Sequence, residues 1–168
     1  QFAALMPLRP QLCDTVIGCP VLLTLHGTSI NARDSADAFK RKPNAGTSTK
    51  DDEDYVFGVD GFWVVAPTRH GAHNWEQMGI LSAMAAVHAL PFALPTAVQQ
   101  QHPSVDTSRI LFVGHSMGGH GAWLAAAQHP NSAIGVASVG GWISKETYGD
   151  SNFLFEQSVS DVSQSYIE

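Results

Sequence analysis

The chain has 168 residues, 44% of them hydrophobic and 14% charged, with a formal net charge of −6. That is enough apolar material for one core and too little charge for disorder. With one basic cluster, Lys40-Arg41-Lys42, the negative balance argues against a surface built to neutralise nucleic-acid phosphates.

No apolar run approaches the roughly 20 residues needed to span a bilayer. The start at Gln1, with no basic-then-apolar leader, predicts no signal peptide. In chain order, Phe2–Met6 reads as a strand, and the loop after it carries the only cysteines, Cys13 and Cys19. Two cysteines make no disulfide framework. A short loop bridge is open geometrically, but free thiols are the expectation, and the absence of an N-x-[ST] sequon gives no sign of glycosylation. Val21–Leu25 is a continuous apolar run of the kind buried on both faces of a parallel sheet. Asp34–Lys42 predicts a helix, started by Asp34 or Ser35 and stopped by Pro43. Residues 44–54 are rich in Gly, Ser, Thr and charge and predict an exposed loop. Across it, Lys40, Arg41 and Lys42 face Asp51, Asp52, Glu53 and Asp54, which read as solvated charges. Phe62–Ala66 is a second buried strand. Glu76–Leu90 predicts a helix broken by Pro91 and Pro95, with a helical continuation to Gln101. Ile110–Val113 is a strand, the helix after it ends at Pro130, Ala133–Val139 is the last strand, and residues 145–168 form a polar tail. Alternating strands and helices without repeats predict a single α/β domain with a mostly parallel sheet and helices on both faces. Right-handed crossovers then bring the loops after Leu25, Ala66 and Val113 to one side.

The most informative stretch is Gly114-His115-Ser116-Met117-Gly118, a G-x-S-x-G directly between a strand and a helix. In that context the motif predicts a nucleophile elbow, a sharp turn holding the Ser116 hydroxyl above the sheet end. The backbone N–H of Met117 can then face a developing oxyanion.

The segment Val113–Trp123 resembles the nucleophile region of α/β-hydrolases, with greatest likeness to prolyl-oligopeptidase-like (S9-type) serine peptidases and related esterases. Pro20–Thr28 resembles the family's strand and His-Gly turn that begins the oxyanion loop, and Phe62–Arg69 its next strand and the loop entering the active site. The resemblance spans about residues 1–145. It implies an acyl-enzyme on Ser116, with backbone N–H groups of Met117 and Thr28 as oxyanion donors. It also implies an ester or peptide substrate, no cofactor and no metal. Gly27 belongs to the oxyanion turn, although a glycine there also suits a plain turn at a strand end. Arg69, His70, His73 and Trp75, in the loop after Phe62–Ala66, fall at the expected pocket as substrate-binding residues. Trp75 suits capping the core equally well, and Arg69 suits a substrate carboxylate through its bidentate fork. His70 or His73 is also an unorthodox candidate base. His26 is expected to fix its loop, His120 to pack under the elbow or reach a carbonyl, and Trp123, Met84, Val87 and Leu90 to lie in the core. Trp142 suits either a pocket wall or a turn. Neither His70-x-x-His73 nor the His115/His120 pair matches H-E-x-x-H.

In these hydrolases the triad runs Ser, then Asp or Glu, then His. No histidine follows His129 here, and Asp150 and Asp161 do not directly follow a recognisable strand. The expectation is therefore a truncated serine hydrolase lacking the acid and histidine; alternatively, an inactive hydrolase-derived binding or structural module. A sheet cut short exposes an unpaired lateral strand, which predicts self-association or a partner chain at that edge.

Overall fold

The computed structural model describes residues 1–41, 55–70 and 74–143. Its elements are β1 (Phe2–Leu5), β2 (Cys19–Leu25), α1 (Ala32–Asp37), β3 (Lys40–Arg41), β4 (Val56–Phe57), β5 (Trp63–Pro67), α2 (Met78–Ala93), α3 (Thr96–Gln101), β6 (Val105–His115), α4 (Met117–Gln128) and β7 (Ala133–Val139). Five strands form one sheet in the order β1-β5-β2-β6-β7. All neighbours are parallel except β1 against β5. This is an α/β fold with a mostly parallel, helix-flanked sheet.

Period-two alternation divides each central strand between two helix layers. Val21, Leu23 and Leu25 of β2, with Ile110 and Phe112 of β6, join one core with Ile80, Ala83, Val87 and Leu90 of α2 and Ala122 and Ala125 of α4. The intervening Thr24 faces the other way, its hydroxyl 3.3 Å from that of Ser35 on α1. Helices therefore cover both faces of the sheet. The expected core residues Met84, Val87 and Leu90 are buried, whereas Trp123 is 44% exposed. It lies on the outer side of α4, whose opposite side already buries Ala122 and Ala125 against the sheet.

Several boundaries differ from the sequence reading for identifiable reasons. The first helix begins at Ala32 because Asn31 caps it, its Oδ1 accepting the Asp34 N–H at 2.9 Å. It ends at Asp37, and Lys40 and Arg41 pair with Phe57 and Val56. Lys40 Nζ sits 3.7 Å from the Tyr55 ring centroid, so this cation has an aromatic partner. Helix α2 continues through Pro91 to Ala93. Near a helix end the missing N–H removes a single bond, and the effective stop is Leu94, extended at ψ 134 as the residue before Pro95. Strand β6 starts at Val105, five residues early, because β2 pairs with it on both sides of a register shift at Pro20/Val21. There Asp106 accepts from the Ser108 N–H and hydroxyl and pairs with Arg109 at 2.5 Å.

The free-thiol expectation is corrected: Cys13 and Cys19 form a disulfide, their Cα atoms 4.7 Å apart. Asp14 closes the loop, its Oδ1 accepting the N–H groups of Val16 and Ile17 at 2.7 and 2.8 Å. A further bond, Gly18 N–H to the Asp14 carbonyl at 3.0 Å, returns the chain to β2. The expected loop 44–54, the tail 145–168, and with them Asp150 and Asp161, lie outside the described residues. No helix among the described residues is long and apolar enough to cross a membrane.

Candidate active site

Three strand ends set the site. β2 delivers His26-Gly27-Thr28, β5 delivers Thr68-Arg69, and β6 delivers Ser116, because the strands are parallel and neighbouring. Ser116 stands between β6 and α4 at φ 56 and ψ −123, a conformation that few side-chain-bearing residues occupy. Its backbone is held on both sides: the N–H donates to the Val139 carbonyl at 2.8 Å, and the carbonyl accepts the His120 N–H at 3.1 Å. Its hydroxyl makes no capping bond to the helix it precedes and is half-buried. That is the geometry of a nucleophile elbow: backbone immobilised, hydroxyl left over.

Met117 is the first residue of α4, where the N–H has no intrahelical acceptor. The first turn of α4 lies hard against the end of β2, since a Cβ added to Gly118 would stand 1.8 Å from the Leu25 carbonyl oxygen. Beside it, a Cβ added to Gly27 would lie 3.5 Å from Ser116 Cβ and 3.2 Å from the His115 carbonyl oxygen. The His-Gly turn therefore reaches Ser116, and Thr28 follows, exposed, with Ser29 in a left-handed conformation at φ 63.

His26 is buried. Its Nδ1 stands 2.9 Å from the Gly27 carbonyl, an acceptor only, so Nδ1 carries the proton and donates it. Its own carbonyl accepts the Trp75 indole N–H at 2.8 Å. Burial lowers the His26 pKa, partly opposed by the Gly27 bond and reinforced by the positive charge of Arg69. A neutral imidazole bonded into its own turn is a structural element, as the sequence suggested.

The other expected site residues are distributed as follows. Arg69 is half-buried, with Nη1 3.1 Å from Met117 Sδ, so the β5 loop does reach the elbow. His70 is exposed, and His73 lies outside the described residues. Trp75 is fully buried, in keeping with the core-capping alternative, and its indole N–H holds the His-Gly turn. His120, also fully enclosed, donates from Nδ1 to the Trp142 carbonyl at 2.7 Å, and the two rings stack 4.6 Å apart. Trp142 thus serves the packing around α4. Among the described residues no imidazole is hydrogen-bonded to the Ser116 hydroxyl.

A cleft of about 250 Å³ opens between α1 and the ends of β2, β6 and β7. It is lined by Gly27 together with Leu25, Ile30, Phe39, His115 and Val139, among others, and its walls are mainly apolar. Arg69, His70 and Trp75 do not line it. Nor do Ser116, Met117 and Thr28, so of the expected site residues only Gly27 borders this cleft.

No curated protein matches the chain. A family described as "Putative esterase" matches residues 18–162, which takes in β2, the His-Gly turn, the elbow and β7. The chain therefore belongs to the Putative esterase family, an α/β-hydrolase family.

Proposed function

We propose that the chain carries the nucleophile and oxyanion half of an ester-cleaving site, with Ser116 attacking the carbonyl and forming an acyl-enzyme. The observation behind this reading is Ser116 at φ 56 on a strand-to-helix turn, within van der Waals range of the Gly27 turn. Attack on an ester transfers the Ser116 proton to a base and places negative charge on the carbonyl oxygen. The Met117 and Thr28 N–H groups receive that charge, and loss of one such donor typically costs on the order of 3 kcal/mol of transition-state stabilisation. Collapse of the tetrahedral intermediate expels the alcohol, and water then releases the acid.

His70, exposed after β5, and His73 are the candidate bases within the chain; in the truncated form of this proposal, the acid and histidine belong to a segment that these 168 residues do not include. Family membership favours an ester substrate, while the S9-type peptidase reading rests on the sequence resemblance alone. An inactive binding module is the second reading, favoured by the lack of an imidazole on the Ser116 hydroxyl among the described residues. Hydrolysis of p-nitrophenyl acetate and of a prolyl anilide by the chain and by Ser116→Ala separates these readings. Ester turnover lost in the variant supports the esterase. Anilide turnover at a comparable rate supports the peptidase, and neither, from a folded chain, supports the truncated form or the binding module.

A further inference from the structure

We propose that Trp75 and Glu76 form a positioning pair that locks the oxyanion turn to the nucleophile helix, an inference that rests on the esterase reading above. The two donors of the oxyanion site belong to different elements: Thr28 follows β2, and Met117 opens α4. Their spacing is set by whatever ties those elements together.

Two consecutive residues do so. The Trp75 indole N–H donates to the His26 carbonyl at 2.8 Å, two residues before Thr28. The indole also meets the His26 ring edge-on, with centroids 5.1 Å apart and planes at 82°. On the helix side, a Cβ added to Gly121 would lie 2.4 Å from Trp75 Cβ, so α4 presents a slot that only glycine leaves open. Glu76 then turns its carboxylate to the same helix, Oε1 standing 3.4 Å from His120 Nε2. Both atoms are enclosed, and this is an electrostatic contact rather than an aligned hydrogen bond. Since Nδ1 of His120 donates to the Trp142 carbonyl, its Nε2 is the side left for Glu76, and the contact is attractive with a proton on one of the two facing atoms.

The backbone is bent to make this reach possible. Trp75 at φ 62 and Gln77 at φ 39 are both left-handed without being glycine. Strain of that kind, next to a site and beside a fully buried indole, marks a conformation that the surroundings enforce. The consequence for catalysis is geometric. A displacement of about 1 Å between reacting groups can cost about a hundredfold in rate, so loosening either tie is expected to lower kcat while leaving KM nearly unchanged.

The test uses p-nitrophenyl acetate turnover, with the thermal midpoint of each variant as a check on folding. Trp75→Phe removes the N–H. Trp75 replaced by benzothienylalanine, with sulfur in place of the indole N–H, keeps shape and fold where the phenylalanine variant does not. Either change is expected to lower kcat by roughly tenfold to a hundredfold with KM within about twofold, as expected for a transition-state interaction. Glu76→Ala is expected to do the same, and Glu76→Gln to recover most of the rate, because its amide can donate to His120 Nε2. An unchanged kcat in the benzothienylalanine variant, with the unaltered chain active, overturns the positioning role and leaves the esterase reading intact. A folded, unaltered chain without Ser116-dependent turnover overturns the reading of this chain as an active esterase, and the positioning role falls with it.

Discussion

Ser116, Gly118 and His26 carry the account at the scale of single residues. Gly118 permits the approach of α4 to β2, and the atom in its way is a backbone carbonyl of a central strand, which has no room to give. Gly118→Ala is therefore expected to destabilise the fold by about 1–3 kcal/mol and to abolish reaction at Ser116. A thermal melt beside an activity assay reads both. His26 makes a pH prediction. Its pKa in the fold lies below the ordinary value of about 6.5, chiefly through burial. The unfolded chain therefore takes up the proton first as pH falls. Its contribution to stability is complete above about pH 6.5 and is lost as pH drops toward the folded value. The thermal midpoint is expected to fall between pH 7.5 and 5.5, and less steeply in His26→Gln. A residual slope in that variant is expected from His129, whose pKa burial and nearby His88 lower in the same direction.

Among the elements, the legible ones were those whose fate is local. Val21–Leu25, Phe62–Ala66 and Ala133–Val139 are apolar runs flanked by turns, and each is a strand. The elbow was legible because glycines, a serine, a strand and a helix fall in one contiguous stretch. What escaped depends on side chains meeting backbone at a distance or on small competing terms. Asn31 takes the cap from Ser35 and Asp34 because its oxygen reaches the Asp34 N–H. Pro95, not Pro91, ends α2. Trp75 lies 49 residues from the carbonyl it holds, which no periodicity reports. The Cys13–Cys19 bridge depends on Asp14 folding the intervening loop, a turn whose ends sequence spacing alone does not bring to 4.7 Å. Constraining so short a loop is worth about 2 kcal/mol. Reduction, or the Cys13→Ser/Cys19→Ser double variant, is expected to lower the thermal midpoint by several degrees without altering reaction at Ser116. An unchanged midpoint would contradict a stabilising bridge.

For the whole molecule, the sheet is unequal at its two sides. β1 closes one side antiparallel to β5, while β7 lies at the other with no further strand among the described residues. Ile134 and Val139 of β7 are 49% and 60% exposed. An edge of this kind, carrying exposed apolar side chains, invites pairing. Sedimentation velocity is expected to show self-association that grows with concentration and weakens in Ile134→Lys; a monodisperse monomer at all concentrations would contradict it. The most direct measurement addresses the nucleophile itself: fluorophosphonate treatment of the purified chain, with the adduct mapped by mass spectrometry. With His70 or His73 as the base, the account predicts stoichiometric modification at Ser116 that disappears in Ser116→Ala. A folded chain left unmodified, or modified elsewhere, would contradict it.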